Sequence, residues 1–136
     1  MSHYGRATVG RLQILVPGGD VLAADGECEF IAGGDDRPHR VRCNGEELPL
    51  LVADEDLRLR AAVSGPPAHW LCLNGGASGF ALACDDIGSV AGEELVFHDL
   101  PACMTGAAQP VARLAVSGST VFCVTSGPAL ARNAVA

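Results

Sequence analysis

The sequence predicts an all-β protein, on three observations. Short apolar strands recur along the whole chain, four of the breaks between them carry hairpin-turn residues, and the pattern runs through twice. Four hairpins within 136 residues point to a sandwich or a barrel. The hydrophobic fraction of 49% supplies a core, and with aromatics at only 4% the packing falls to Leu, Val, Ile and Ala.

The elements follow in order. Residues 1–10 read as an N-terminal tail, without the apolar stretch of a secretory signal. Leu12, Ile14 and Val16 form an apolar run that Pro17-Gly18-Gly19 breaks, and Val21-Leu22-Ala23 reads as the return strand of a first hairpin. In the second, Val41-Arg42-Cys43 meets Asn44-Gly45 and residues 48–52 return. In the third, residues 70–73 meet Asn74-Gly75-Gly76 and residues 80–84 return; in the fourth, residues 111–116 meet Ser117-Gly118-Ser119 and residues 120–125 return. Asn and Gly tolerate the left-handed backbone that tight hairpin turns require.

The stretch Leu15-Val16-Pro17-Gly18-Gly19 with its return parallels Cys72-Leu73-Asn74-Gly75-Gly76 with its own, which predicts a duplicated half of two hairpins. Between the halves, Asp54, Glu55 and Asp56 suit a helix start and Arg58 and Arg60 a helix end, although Leu57-Arg58-Leu59-Arg60 also alternates like a strand. Residues 99–109 read as a long loop.

Charge narrows the function. Nine basic residues, all Arg, stand against 16 acidic ones, a formal net charge of −7, which gives no footprint for nucleic acid. No apolar run is long enough to span a bilayer, so the expectation is a cytoplasmic protein with no direct membrane insertion. The six cysteines include no CxxC pair and sit mostly in apolar runs, where reduced thiols act as small buried hydrophobes. His3, His39, His69 and His98 show no metal-ligand spacing, and Gly75-Gly76 precedes a strand, so no phosphate loop forms. Neither catalysis, a metal nor a cofactor is expected.

The order of these parts resembles the CheW-like domain over roughly residues 11–130. Glu27-Cys28-Glu29-Phe30 resembles the Val-x-Glu-Val segment after the family's opening strands. Arg42-Cys43-Asn44-Gly45, then Pro49-Leu50-Leu51-Val52-Ala53-Asp54, resembles its Asn-Leu-Arg-Gly and Pro-Val-x-Asp-Leu motif. Phe80-Ala81-Leu82-Ala83-Cys84-Asp85-Asp86-Ile87 with Val90 resembles its Gly-Leu-Leu-Val-Asp-x-Val-x-x-Val pattern, and Leu100-Pro101 its proline-marked loop. The closing hairpin is Val111-Ala112-Arg113-Leu114 with Gly118.

The resemblance implies two small five-stranded β-barrel-like subdomains side by side, at about residues 11–62 and 68–130 with strands free to interleave, one or two short helices at most, and a C-terminal tail at 131–136. It implies a non-catalytic adaptor coupling a chemoreceptor tip to the regulatory domain of a CheA-type histidine kinase, in chemotaxis or a related pilus-motility system. It places Glu27, Glu29 and Phe30 at the receptor groove, with Ile87 and Val90 in the best-matched strand and Asp85 as a turn cap. Asn44 and Gly45 mark a departure, because Asn44 stands where the family has an arginine, which puts receptor coupling in doubt. The competing reading is a β-barrel that encloses a small ligand in a closed apolar cavity.

Overall fold

Continuous apolar runs and alternating runs make two kinds of strand, and the fold sorts them accordingly. The protein is described by a computed structural model that covers residues 3–34, 37–54, 56–62, 66–100 and 110–134. Its strands are β1 (His3–Val9), β2 (Leu12–Pro17), β3 (Val21–Ala24), β4 (Glu29–Ile31), β5 (Arg40–Cys43), β6 (Glu46–Ala53) and β7 (Leu59–Ala61). They continue as β8 (His69–Asn74), β9 (Gly79–Cys84), β10 (Asp86–Ala91), β11 (Val96–His98), β12 (Arg113–Ser117) and β13 (Thr120–Val124), and a short helix α1 (Gly127–Arg132) follows.

Two sheets result. The first has the order β10-β1-β2-β13-β12-β11; the second has β3-β8-β9-β6-β5-β4, with β7 also paired to β6. The sheets thus hold six and seven strands rather than five each. They are one pattern built twice: β10, β1, β2, β13, β12 and β11 stand where β3, β8, β9, β6, β5 and β4 stand. The parallel pairing falls at the same place in both, β2 with β13 and β9 with β6. A one-turn 3-10 helix joins β3 to β4 at Asp25–Glu27 and β10 to β11 at Gly92–Glu94.

The repeat is therefore real, but it is shifted by one strand from the sequence reading. Each half of the chain gives its first hairpin to one sheet and its next four strands to the other. Several expectations change. Residues 3–9 are not a tail but strand β1, which pairs with β2 through the Gly10-Arg11 turn, Gly10 standing at φ 59°. The stretch Pro17-Gly18-Gly19 is not a hairpin turn: β2 and β3 lie in different sheets, and a 3-10 turn at Gly18–Asp20 carries the chain across. Each sheet draws strands from both sides of residue 65, the interleaving that the resemblance left open.

Another concerns residues 54–60, where strand alternation prevails over the helix. The Asp54 carboxylate accepts from the Asp56 and Arg58 amides at 2.9 and 3.0 Å, a tight turn that puts Leu57 at φ 59° and leads into β7. Nor are residues 131–134 a loose end. Asn133 Nδ2 donates to the Leu57 carbonyl at 2.8 Å, and Leu59 bridges Ala134. The C-terminal segment thereby pins the β6–β7 turn. The Ser126 hydroxyl caps α1 by accepting from the Ala129 amide at 3.1 Å.

Three cores explain the two strand types. Ala23, Val41, Leu48, Leu50, Cys72, Ala81 and Ala83 fill the second sheet's interior. Leu15, Ala115, Phe122 and Val124 fill the first sheet's interior. Between the sheets lies the largest core, with Ile14, Val16, Leu71, Leu73, Phe80, Leu82 and Leu130. Strands β2, β8 and β9 thus bury both faces, one in their own sheet and one against the other sheet, which is why they read as unbroken apolar runs. Strand β5 alternates because only one face is buried. Gly5 lets the sheets approach closely, since a Cβ there would come within 2.8 Å of Val21 Cγ2.

Candidate functional site

With three cores filled, the surface that remains differs between equivalent positions of the two sheets. On the outer strands of the second sheet, Glu29 pairs with Arg42 and Arg42 with Glu47, all exposed, so a charged row crosses the face. Arg42 Nη1 lies 3.2 Å from Glu29 Oε2. In the first sheet the same row is Val96, Val116 and Val121, in direct register across β11, β12 and β13. Val96 is 60% exposed and Val121 54%. Two residues along the same face, Leu114 and Cys123 pack against the inter-sheet core, so the valines carry that apolar surface outward into solvent.

Edge strands invite pairing and are usually guarded by charge. Strand β4 carries the charged row; strand β11 carries none of its equivalents. Beneath both, inward aromatics match. Phe97 lies 6.0 Å from Tyr4 in the first sheet, and Phe30 lies 6.1 Å from Trp70 in the second. Arg113 stands over the Phe97 ring at 4.0 Å.

The predicted site residues divide between the sheets. Glu27, Glu29 and Phe30 lie at the β4 edge of the second sheet, not between the sheets. Phe30 is half-buried and packs against that sheet's own core, its ring 5.0 Å from His39. Asn44 and Gly45 form the exposed β5–β6 turn at φ 51° and 83°. Asp85 accepts from the Gly10 amide at 2.8 Å and so holds the β1–β2 turn. Ile87 packs against the inter-sheet core, and Val90 against the first sheet's interior. Pro101 of the proline-marked loop, with residues 102–109, lies outside the described residues, as do Asp35, Asp36 and Glu55.

Sequence spacing gave no hint of one further grouping. The sulfurs of Cys28, Cys43 and Cys72 all lie within 4.8 Å of one another. Burial raises the Cys43 and Cys72 thiols above the ordinary range, and hydrogen bonding to Cys28 adds to it. Cys84, apart from this group, is pushed up to about 12 by burial and by the charge of Asp25. On the surface, Arg6 Nη2 bonds Asp86 Oδ2 at 3.1 Å and holds that carboxyl below its usual range.

An open cleft of about 360 Å³ flanks the β4 edge, lined by Ile31, Gly33, Arg37, Pro38, Arg40 and Glu47. It is a surface notch with charged walls, unlike the closed apolar cavity that the small-ligand reading expects. Among the described residues no helix is long and apolar enough to cross a membrane.

No family model matches the chain, and no curated protein matches it by sequence. Among solved structures it is similar to the scaffolding protein TtCheW from Thermoanaerobacter tengcongensis. That match has a TM-score of 0.64 at 10% identity and covers 91% of this chain and 88% of that one.

Proposed function

From a CheW-like fold that spans nearly the whole chain, we propose that this protein is a non-catalytic signalling adaptor of a bacterial chemosensory or pilus-motility system, acting in the cytoplasm. Its partner is the regulatory domain of a CheA-type histidine kinase, and the row Val96, Val116 and Val121 is the face that receives it. The observation that carries this reading is the contrast between equivalent rows: charged on the second sheet, apolar on the first, where Val96 and Val121 are exposed and Val116 half-buried between them. An apolar row beside an edge strand gains from being covered, at about 25 cal/mol per Å² of apolar surface removed from water. Coupling to a chemoreceptor tip is a second contact, on a surface other than the valine row.

The test is co-elution on a sizing column with an isolated kinase regulatory domain, each at roughly 50 μM, enough to hold a micromolar complex together. The expected result is a single earlier peak containing both chains. Separate elution of two folded proteins would overturn the proposal.

A further inference from the structure

Cys28, Cys43 and Cys72 reach one another from opposite ends of the second sheet. Cys72 lies on β8, next to the edge strand β3; Cys43 closes β5, and Cys28 precedes β4 at the other edge. The thiols therefore meet where the sheet curls round on itself. Cys28 and Cys72 sulfurs stand 3.6 Å apart, and none of the three is in a disulfide. A metal–sulfur bond of about 2.3 Å would set three sulfurs in a plane about 4 Å apart around one ion. The cluster fits that spacing without a change of fold.

We propose that Cys28, Cys43 and Cys72 form a three-sulfur site for a soft monovalent cation, Cu⁺, which clasps the seam of the second sheet. The donor set selects the ion. Three sulfurs and no oxygen or nitrogen suit a soft cation content with three ligands. Structural Zn²⁺ takes four, and among the described residues the cluster supplies three. The walls are apolar, with Ala23, Val41, Leu48 and Ala81 in the same core. The Cys28 thiol donates to the Ala24 carbonyl at 3.2 Å, a bond that ends when the thiol gives up its proton to bind the ion. The equivalent positions of the first sheet are Leu95, Ser117 and Arg6, so the thiols belong to one copy of the pattern only. Cys28 is half-buried and gives the ion a path from solvent. No redox step is involved: each thiol that binds as thiolate releases its proton to water. This site stands apart from the valine row, and its failure would leave the adaptor reading intact.

The experiment uses the full chain, reduced with a phosphine under argon and titrated with Cu⁺ in acetonitrile against a competing chelator. Trp70, the single tryptophan, packs on the same core and reports binding by its fluorescence. The expected results are one equivalent bound, three sulfur neighbours by X-ray absorption, quenched Trp70 emission and a higher melting temperature. Cys28→Ser should weaken binding more than about tenfold. Cys123→Ser should not, since Cys123 packs in the inter-sheet core instead. Absence of binding by folded, reduced protein would overturn the site. So would equal binding by Cys28→Ser, or one equivalent of Zn²⁺ held in preference to Cu⁺.

Discussion

The two sheets share one strand order and are filled and faced differently. The first packs Leu15, Phe122 and Val124 inside; the second packs mainly alanines and two buried cysteines around Val41, Leu48 and Leu50. Outside, the row Glu29, Arg42 and Glu47 faces the row Val96, Val116 and Val121 across the repeat. Topology alone does not require either choice. The second sheet shows that these positions tolerate charge, so the valines of the first are not imposed by folding. That difference is the physical ground for assigning docking to one sheet and not to both.

Several changes would break or sharpen this contrast. Leu82→Ala empties a fully buried site in the core the sheets share and should cost about 3 kcal/mol in urea unfolding. One cooperative transition is expected, because strand exchange makes each sheet depend on both halves; two transitions would show that the sheets fold separately. Gly127→Ala places a Cβ against the Asn74 carbonyl where α1 seats on β8, and thermal melts should register a loss of about 2 kcal/mol. The equivalent turns give a finer comparison. Gly118, at φ 61°, occupies the place of Asn44, at φ 51°, so Gly118→Ala should cost about 1 kcal/mol while Gly118→Asn costs little.

The smallest effect is electrostatic. Arg6 lowers the Asp86 carboxyl, so the folded state holds less proton there than the unfolded chain. The stabilisation is complete above the ordinary carboxylate range and is lost as pH falls through the depressed folded value. Asp86→Asn should flatten the acid side of the stability–pH curve, and added salt should diminish the difference because the pair is exposed.

How much of this was legible depended on whether the signal was local. Asn44-Gly45, Gly76 and Gly118 mark real hairpins, because a residue's tolerance of positive φ is its own property. Pro17-Gly18-Gly19 carries similar residues yet leads from one sheet to the other; turn chemistry reports a change of direction, not the next partner. A return strand given to β2 at that turn leaves residues 3–9 without a mate, which is why they read as a tail. The thiol cluster was illegible because residues 28, 43 and 72 are joined only by the curl of the sheet. The exposure of Val96 depends on the register of β11, three residues long, which no periodicity resolves. The contact between the Phe30 and His39 rings was equally out of reach of the sequence, because β4 is only three residues long.

The most direct measurement transplants one row onto the other. A Val96→Glu, Val116→Arg, Val121→Glu triple variant gives the first sheet the charges that the second carries, and calorimetric titration against the kinase regulatory domain reads the outcome. The expected result is a folded protein of near-unchanged stability that no longer binds, beside a wild type that does. A triple variant that binds as tightly as the wild type would contradict the assignment of the valine row.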